Sequence, residues 1–352
     1  MGVLCDELHL MRQRLDYRSQ FPWVDDVYVE TDPNVIQLLE RALVQQLKND
    51  AEGLQLTEPE FVDWSLVDSY RFNIDPPEQR RGSLLLADYL DRVEELGLRS
   101  TLDIALLRRH EVQAIGVDGE LIERWSVLDC VDGELATGRG DDGRIHYIAS
   151  GEFFTAAREF LVGLDKDLSR IERSAIRLPA AEPRQDEGDY NMSVAGQLGY
   201  LLLDKRLVSM RDAGRVEICD LLTAEGALIH VKRLKGSFSS SVLSHLFAQG
   251  AVSADLLVKS PDFREQAVQR VQAAERAAHQ SGDGEPDRFS QQFTGAFRAA
   301  DHEVVYAIIG PWEGRPLTAL PFFSKVNLRR HHENLVSMHF NVSYAAVESP
   351  PA

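Results

Sequence analysis

Two short apolar runs with a tight turn between them constrain this chain more than any other feature. Val216-Glu217-Ile218-Cys219-Asp220 leads through Leu221 and Leu222 to Ala224-Glu225-Gly226, and Ala227 and Leu228 lead on to Ile229-His230-Val231-Lys232. Apolar runs on either side of a glycine-bearing turn predict two antiparallel strands. With the turn centred near Glu225, Asp220 falls opposite His230. Strand side chains alternate with period two, so Asp220, His230 and Lys232 are expected on one face. The same parity sends Glu217 and Cys219 to the other face. Three ionisable groups on one face could be a plain surface with ion pairs worth about 0–1 kcal/mol each. They could also be a site.

Composition narrows the choice. The formal net charge is −18, so the protein repels nucleic acid at long range unless positive charge is concentrated locally. Between Asp204 and Lys259 basic residues slightly outnumber acidic ones, while Glu182 to Asp189 and the segment around Glu58 carry acid. The cysteines, Cys5, Cys130 and Cys219, are far apart, which argues against a thiolate zinc site and suits a reducing cytoplasm. Met1 to Glu7 has no basic start followed by an apolar run, and no stretch reaches membrane-spanning length, so a cytoplasmic protein without membrane contact is expected.

Periodicity gives the organisation. Asn34 to Lys48 and Leu84 to Leu96 have helical spacing, the first after an Asp32-Pro33 start. Glu111 to Glu152 reads as strands, and Phe153 to Leu164 as helix. A boundary is expected near 165–180, giving an N-terminal α+β region over 1–175 and an α/β domain over 185–352. In the latter, Tyr190 to Leu203 reads as helix, Lys205 to Val208 as strand, and then comes the hairpin. Val242 to Leu257 reads as a helix that Gly250 weakens, and Phe263 to Ala278 as a surface helix. Val304 to Ile309 reads as strand, Leu320 to Val336 as helix and Asn341 to Val347 as strand. The fold class expected is α/β (α+β), a mixed sheet flanked by helices.

That order of helix, strand, hairpin, helix, strand, helix, strand resembles the core of the restriction-endonuclease-like superfamily. The superfamily places an Asp on one strand, and an acidic residue and a Lys two apart on the next. Asp220, then His230-Val231-Lys232, is similar, with His230 where an acid usually stands. The chain as a whole also resembles a bacterial family described as sporadically distributed. That resemblance is sharpest at Glu217-to-Asp220, Ile229-to-Arg233, Leu243-to-Gly250 and Pro321-to-Asn327, and Tyr190-Asn191 also fits. Sporadic distribution implies horizontal spread, often with antiphage defence or toxin loci.

The resemblance implies a metal-dependent nuclease with Asp220, His230 and Lys232 as catalytic residues. Asp220, His230 and Glu187 would be the ligands of a divalent metal, Mn or Mg. Imidazole beside a carboxylate shifts preference away from hard Mg²⁺. Arg233, Lys235, Ser237, Ser239 and Ser240, around a Gly/Ser loop, are candidate phosphate contacts. Lys325, Arg329 and Arg330 form a candidate basic patch for DNA or RNA. His245 and Gln249, four apart on one helix, share a face that could look toward Lys232. The alternative is an inactive module of the same fold, binding nucleic acid, or binding a partner protein through its acidic surface, without a cofactor. Kinase, P-loop and serine-hydrolase chemistry are disfavoured. The glycine-rich loop, the GxxxxGK[ST] pattern and the G-x-S-x-G elbow are all missing.

Overall fold

The computed structural model describes residues 26–59, 67–137, 143–183, 185–197, 199–210, 214–234, 240–279, 288–295, 297–310, 312 and 314–349. The chain divides into two compact units, Met1–Leu164 and Asp165–Ala352.

The first unit contains β1 (Val27–Val29), α1 (Pro33–Lys48), β2 (Leu54–Leu56), β3 (Ser69–Phe72), α2 (Leu86–Glu95), α3 (Ile104–Arg109), β4 (Glu111–Ile115), β5 (Leu121–Ser126), α4 (Val127–Cys130), β6 (Val131–Leu135), β7 (Arg144–Ala149) and β8 (Glu152–Ala157). Helix α1 starts as its residue types require: Asp32 Oδ1 accepts the Asn34 N–H at 2.8 Å and Pro33 opens the first turn. One antiparallel sheet runs β1-β8-β7-β6-β2 and another β3-β4-β5. Leu39, Leu43 and Leu47 of α1 and Tyr89 and Val93 of α2 share a core with Val112 and Val131. The helical spacing expected from Phe153 is overridden at first. Residues 152–157 pair with β7, Phe153 opposite Ile148, and α5 (Arg158–Leu168) begins only at Arg158. Phe153, Phe154 and Thr155 suit a pleated surface better than a helix.

The second unit contains β9 (Glu172–Arg173), α6 (Glu187–Ala195), β10 (Tyr200–Leu202), β11 (Val208–Met210), β12 (Gly214–Val216), β13 (Leu221–Thr223), β14 (Ala227–Arg233), α7 (Ser240–Lys259), α8 (Pro261–His279), β15 (Glu303–Gly310), α9 (Phe322–Ser337) and β16 (Asn341–Glu348). Its main sheet runs β10-β13-β14-β15-β16-β9. Strand β13 is antiparallel to both neighbours, while β14, β15, β16 and β9 run parallel. Val304 to Ile309 is buried on both faces, which explains its unbroken apolar run. Tyr190 and Val194 of α6 cover the face that carries Ile229, Val231, Val305 and Ala307. Helix α7 covers the opposite face, where the Tyr306 hydroxyl donates to the Phe247 carbonyl at 3.0 Å. The result is a mixed α+β fold with sheets flanked by helices.

Several expected boundaries shift. The segment after the expected boundary near 165–180 packs on the second sheet: β9 pairs with β16, and the Ser174 and Ala181 N–H groups donate to Tyr344 and Glu348 carbonyls at 2.8 and 2.9 Å. The helix expected from Tyr190 to Leu203 begins earlier, at Glu187, and yields to strand β10. Helix α8 is no plain surface helix, since Phe263, Ala267 and Val271 are fully buried. Gly250 does not shorten α7, which runs unbroken from Ser240 to Lys259.

Gly250 instead permits close packing on the sheet. A Cβ there would lie 2.7 Å from Tyr306 Cε1 and 3.2 Å from His230 Cδ2, both rings fully enclosed. Gly250→Ala gains about 1 kcal/mol of helix propensity but overpacks the interface at a cost of about 1–3 kcal/mol. Urea unfolding should therefore show Gly250→Ala to be the less stable protein. Equal or greater stability would mean that the rings have room to withdraw.

Candidate functional site at an open strand edge

The hairpin has the register expected from sequence, with Leu221 opposite Ile229 and Leu222 opposite Leu228. Asp220 continues it, its N–H donating to the Ile229 carbonyl at 3.0 Å. Beyond that point the two chains separate. Residues 217–220 belong to no strand, so the last turns of β14 have lost their neighbour. Its edge N–H groups need acceptors, and carboxylates provide them. Asp220 Oδ2 accepts the Val231 N–H at 2.7 Å, and Glu187 Oε2 accepts the Arg233 N–H at 2.9 Å. Lys232 Nζ lies 3.2 Å from Glu187 Oε2, closing an ion pair between β14 and the first turn of α6.

Two further acidic residues, Glu217 and Asp204, lie near Asp220. Glu217 accepts the Lys205 backbone N–H at 2.7 Å and the Gln249 side-chain amide at 2.6 Å. The Asp204 N–H donates to the Asp220 carbonyl at 3.0 Å. Burial pushes the Asp220 carboxyl well above the usual carboxylate range. The Val231 N–H opposes that shift, and the charges of Glu187, Glu217 and Asp204 add to it. Burial likewise raises Glu217, against its hydrogen bond from the Lys205 N–H and with help from Asp204 and Glu187. Burial and then the Lys232 charge lower the pKa of His245, with Glu187 opposing. His245 and Gln249 thus do belong to the surroundings of Lys232 and Glu217.

Other expected residues are placed differently. The His230 ring is fully enclosed beside Tyr306, with ring centroids 6.4 Å apart, and neither nitrogen has a hydrogen-bond partner among the described residues. Burial alone pushes its pKa down to about 4. A ring held under α7 in this way is not presented as a metal donor. The Arg233 guanidinium is turned to structure, donating to the Glu182 carbonyl and Ser349 Oγ at 3.1 and 2.8 Å. Two members of the expected basic patch are paired with acids: Lys325 Nζ lies 2.7 Å from Asp165, and Arg329 lies 3.7 Å from Asp167 and 3.8 Å from Glu333. Lys325 is itself buried. Lys235, Ser237 and Ser239, with the Ser240 side chain, lie outside the described residues.

Parity reasoning missed Glu217, because the segment it was applied to is not a strand. Asp204 carried no sequence signal. Asn191 was noted only for its resemblance, yet it is fully buried one helical turn after Glu187, and neither amide atom has a hydrogen-bond partner among the described residues.

The donors at this edge are oxygens, which suit a hard divalent cation. No three His, Cys, Asp or Glu side chains among the described residues are grouped so as to hold a metal ion alone. Mg²⁺ does not require that, since it commonly takes one or two carboxylates and keeps several waters. Asp220 and Glu187 fit that mode. Burial first, and then repulsion among these carboxylates, holds Asp220 and Glu217 toward protonation; a cation would relieve the repulsion.

A pocket of about 590 Å³ opens at the opposite end of the same sheet, lined by residues including Tyr200, Glu225, Arg288, His302 and Glu303. Arg288 there pairs with Glu225 at 3.4 Å. No described helix is long and apolar enough to cross a membrane.

The family described as "Family of unknown function (DUF6119)" matches residues 1–348. No curated protein matches the chain. No solved structure matches it either.

His230 makes stability depend on acid. An unfolded imidazole takes a proton near 6.5 and the folded one only near about 4, so falling pH favours the unfolded chain through that window. His230→Phe keeps a ring and removes the titration. Between pH 7.5 and 4, wild type should lose about 3 kcal/mol more than His230→Phe, measured by denaturant unfolding at each pH. Parallel profiles would show that the ring is not held neutral.

Proposed function

We propose, for a chain that belongs to the DUF6119 family, that the open edge of β14 is the site of a metal-dependent phosphodiester hydrolase acting on nucleic acid, with a restriction-endonuclease-like core in the second unit. The observation that carries the reading is one of convergence. Asp220, Glu187 and Lys232 come from three separate segments, and where β13 parts from β14 Asp220 holds the Val231 N–H, Glu187 the Arg233 N–H two residues on, and Lys232 pairs with Glu187. The element order of the unit after β9, helix α6, strand β10, the small β11-β12 pair, hairpin β13-β14, helices α7 and α8, β15, α9 and β16, supports it. A setting in bacterial defence is part of the proposal and rests on the sporadic distribution of the family resembled.

The roles follow from charge. Asp220 and Glu187 would hold the cation, which when bound supplies Lewis acidity toward a phosphate and a more acidic water. Lys232 would leave Glu187 and stabilise charge developing on the phosphate. Gln249 and the Lys205 N–H hold Glu217 in place. His245, exposed and within reach of the Lys232 charge, lines the same edge.

A second reading is favoured by His230. The position where the resemblance expects an acid holds an enclosed imidazole, and Lys232 is already paired. This describes a module that binds nucleic acid or a protein without cutting.

Cleavage of DNA and RNA panels with Mg²⁺, Mn²⁺ or chelator separates the readings. Asp220→Asn keeps an acceptor for the Val231 N–H and removes the charge, so it should lose activity while the fold persists. Lys232→Ala should lose about a hundredfold in rate. Full activity of Asp220→Asn would overturn the assignment. Salt-sensitive binding without cleavage in any metal would favour the second reading.

A further inference from the structure

Asn191 presents a problem that the hydrolase reading does not solve. Its side chain is completely buried, and both its oxygen and its nitrogen lack hydrogen-bond partners among the described residues. Leaving a buried polar group so costs about 1–3 kcal/mol. Such a group in a native protein calls for water, an ion or a functional explanation.

Its position supplies one. Asn191 lies four residues after Glu187 on α6, so both occupy one helix face. Glu187, in the first turn, reaches the Arg233 N–H at the end of β14. Helix α6 then leads into β10, which runs parallel to β14 because β13 is antiparallel to both. The helix therefore descends alongside β14 toward its beginning. Four helical residues rise about 6 Å, which matches about two strand residues at about 3.3 Å each. From ideal rises alone, Asn191 is estimated to stand about two strand residues back from the level of Arg233, near that of Val231. Val231 is the residue whose N–H Asp220 holds at 2.7 Å.

We infer that Asn191 is a further ligand residue of this edge, its carboxamide oxygen supplying a neutral donor to the divalent cation that Asp220 and Glu187 would hold. The inference rests on the hydrolase reading for the cation, not for the cleavage. Amide oxygens are ordinary ligands of hard cations. A neutral donor adds coordination without adding to the repulsion among Asp220, Glu187, Glu217 and Asp204. It would make up for the acid that His230 replaces.

The test is Mn²⁺ binding to the full chain, followed by calorimetry and by the electron paramagnetic resonance of free Mn²⁺. Asn191→Leu should weaken binding about tenfold or more. Without Mn²⁺ the same variant should be as stable as wild type or more so, since an unpartnered amide has been replaced by an apolar group of similar size. Asn191→Asp keeps the oxygen and should bind at least as tightly as wild type. Equal Mn²⁺ affinity in wild type and Asn191→Leu would overturn the inference, as would loss of binding in Asn191→Asp or a wild type that binds no Mn²⁺ at millimolar concentration. Cleavage is scored separately. Mn²⁺ binding that depends on Asn191, with no nucleic acid cut, would uphold the inference and remove the hydrolase reading. Cleavage that Asn191→Leu leaves unchanged would do the reverse.

Discussion

The candidate site depends on how an interrupted β-sheet satisfies its own backbone. Strand β14 loses its antiparallel neighbour before it ends, and a strand edge inside a protein cannot leave N–H groups unmet. Here the substitutes are the carboxylates of Asp220 and Glu187. Each fills a ladder position with a side chain instead of a main-chain carbonyl. This gathers carboxyl groups along a few residues, and one of them, Glu187, in turn holds Lys232. The same contacts that complete the sheet create an electrostatic arrangement with chemical potential.

The face of β14 under α7 is organised chiefly by close packing. His230 and Tyr306 lie side by side on neighbouring strands, and α7 approaches them closely because Gly250 has no side chain. The approach excludes water from the His230 ring and leaves its nitrogens without partners among the described residues. One strand thus carries a polar edge served by carboxylates and, one side chain away, an imidazole held in its neutral form.

Much of this was legible in the sequence because strong local signals agreed with the tertiary fold. The turn at Ala224-Glu225-Gly226 fixed the hairpin register, and the apolar run from Val304 to Ile309 marked a strand buried on both faces. Asp32-Pro33 marked a helix start. Legibility failed where geometry departed from a regular repeat. Glu217 was assigned by strand parity to the wrong side, because residues 217–220 form no strand. His230 was assigned by parity to a shared face, but parity says nothing about the helix that closes over the ring. Lys325 and Arg329 read as free positive charge, since their partners Asp165 and Asp167 are some 160 residues away in sequence and no local pattern links them.

Those two aspartates also decide where the second unit can be separated from the rest of the chain. The acidic stretch before Glu187 looks like a natural place to cut, yet a fragment starting at residue 185 would lack β9, Asp165 and Asp167. Strand β16 would then present an unpaired row of N–H and C=O groups, the kind of edge on which chains pair with one another. Lys325 would remain buried without its counter-charge. A fragment made for binding or crystallisation work should therefore begin before Asp165, and one begun at 185 is expected to associate with copies of itself instead of folding as a monomer.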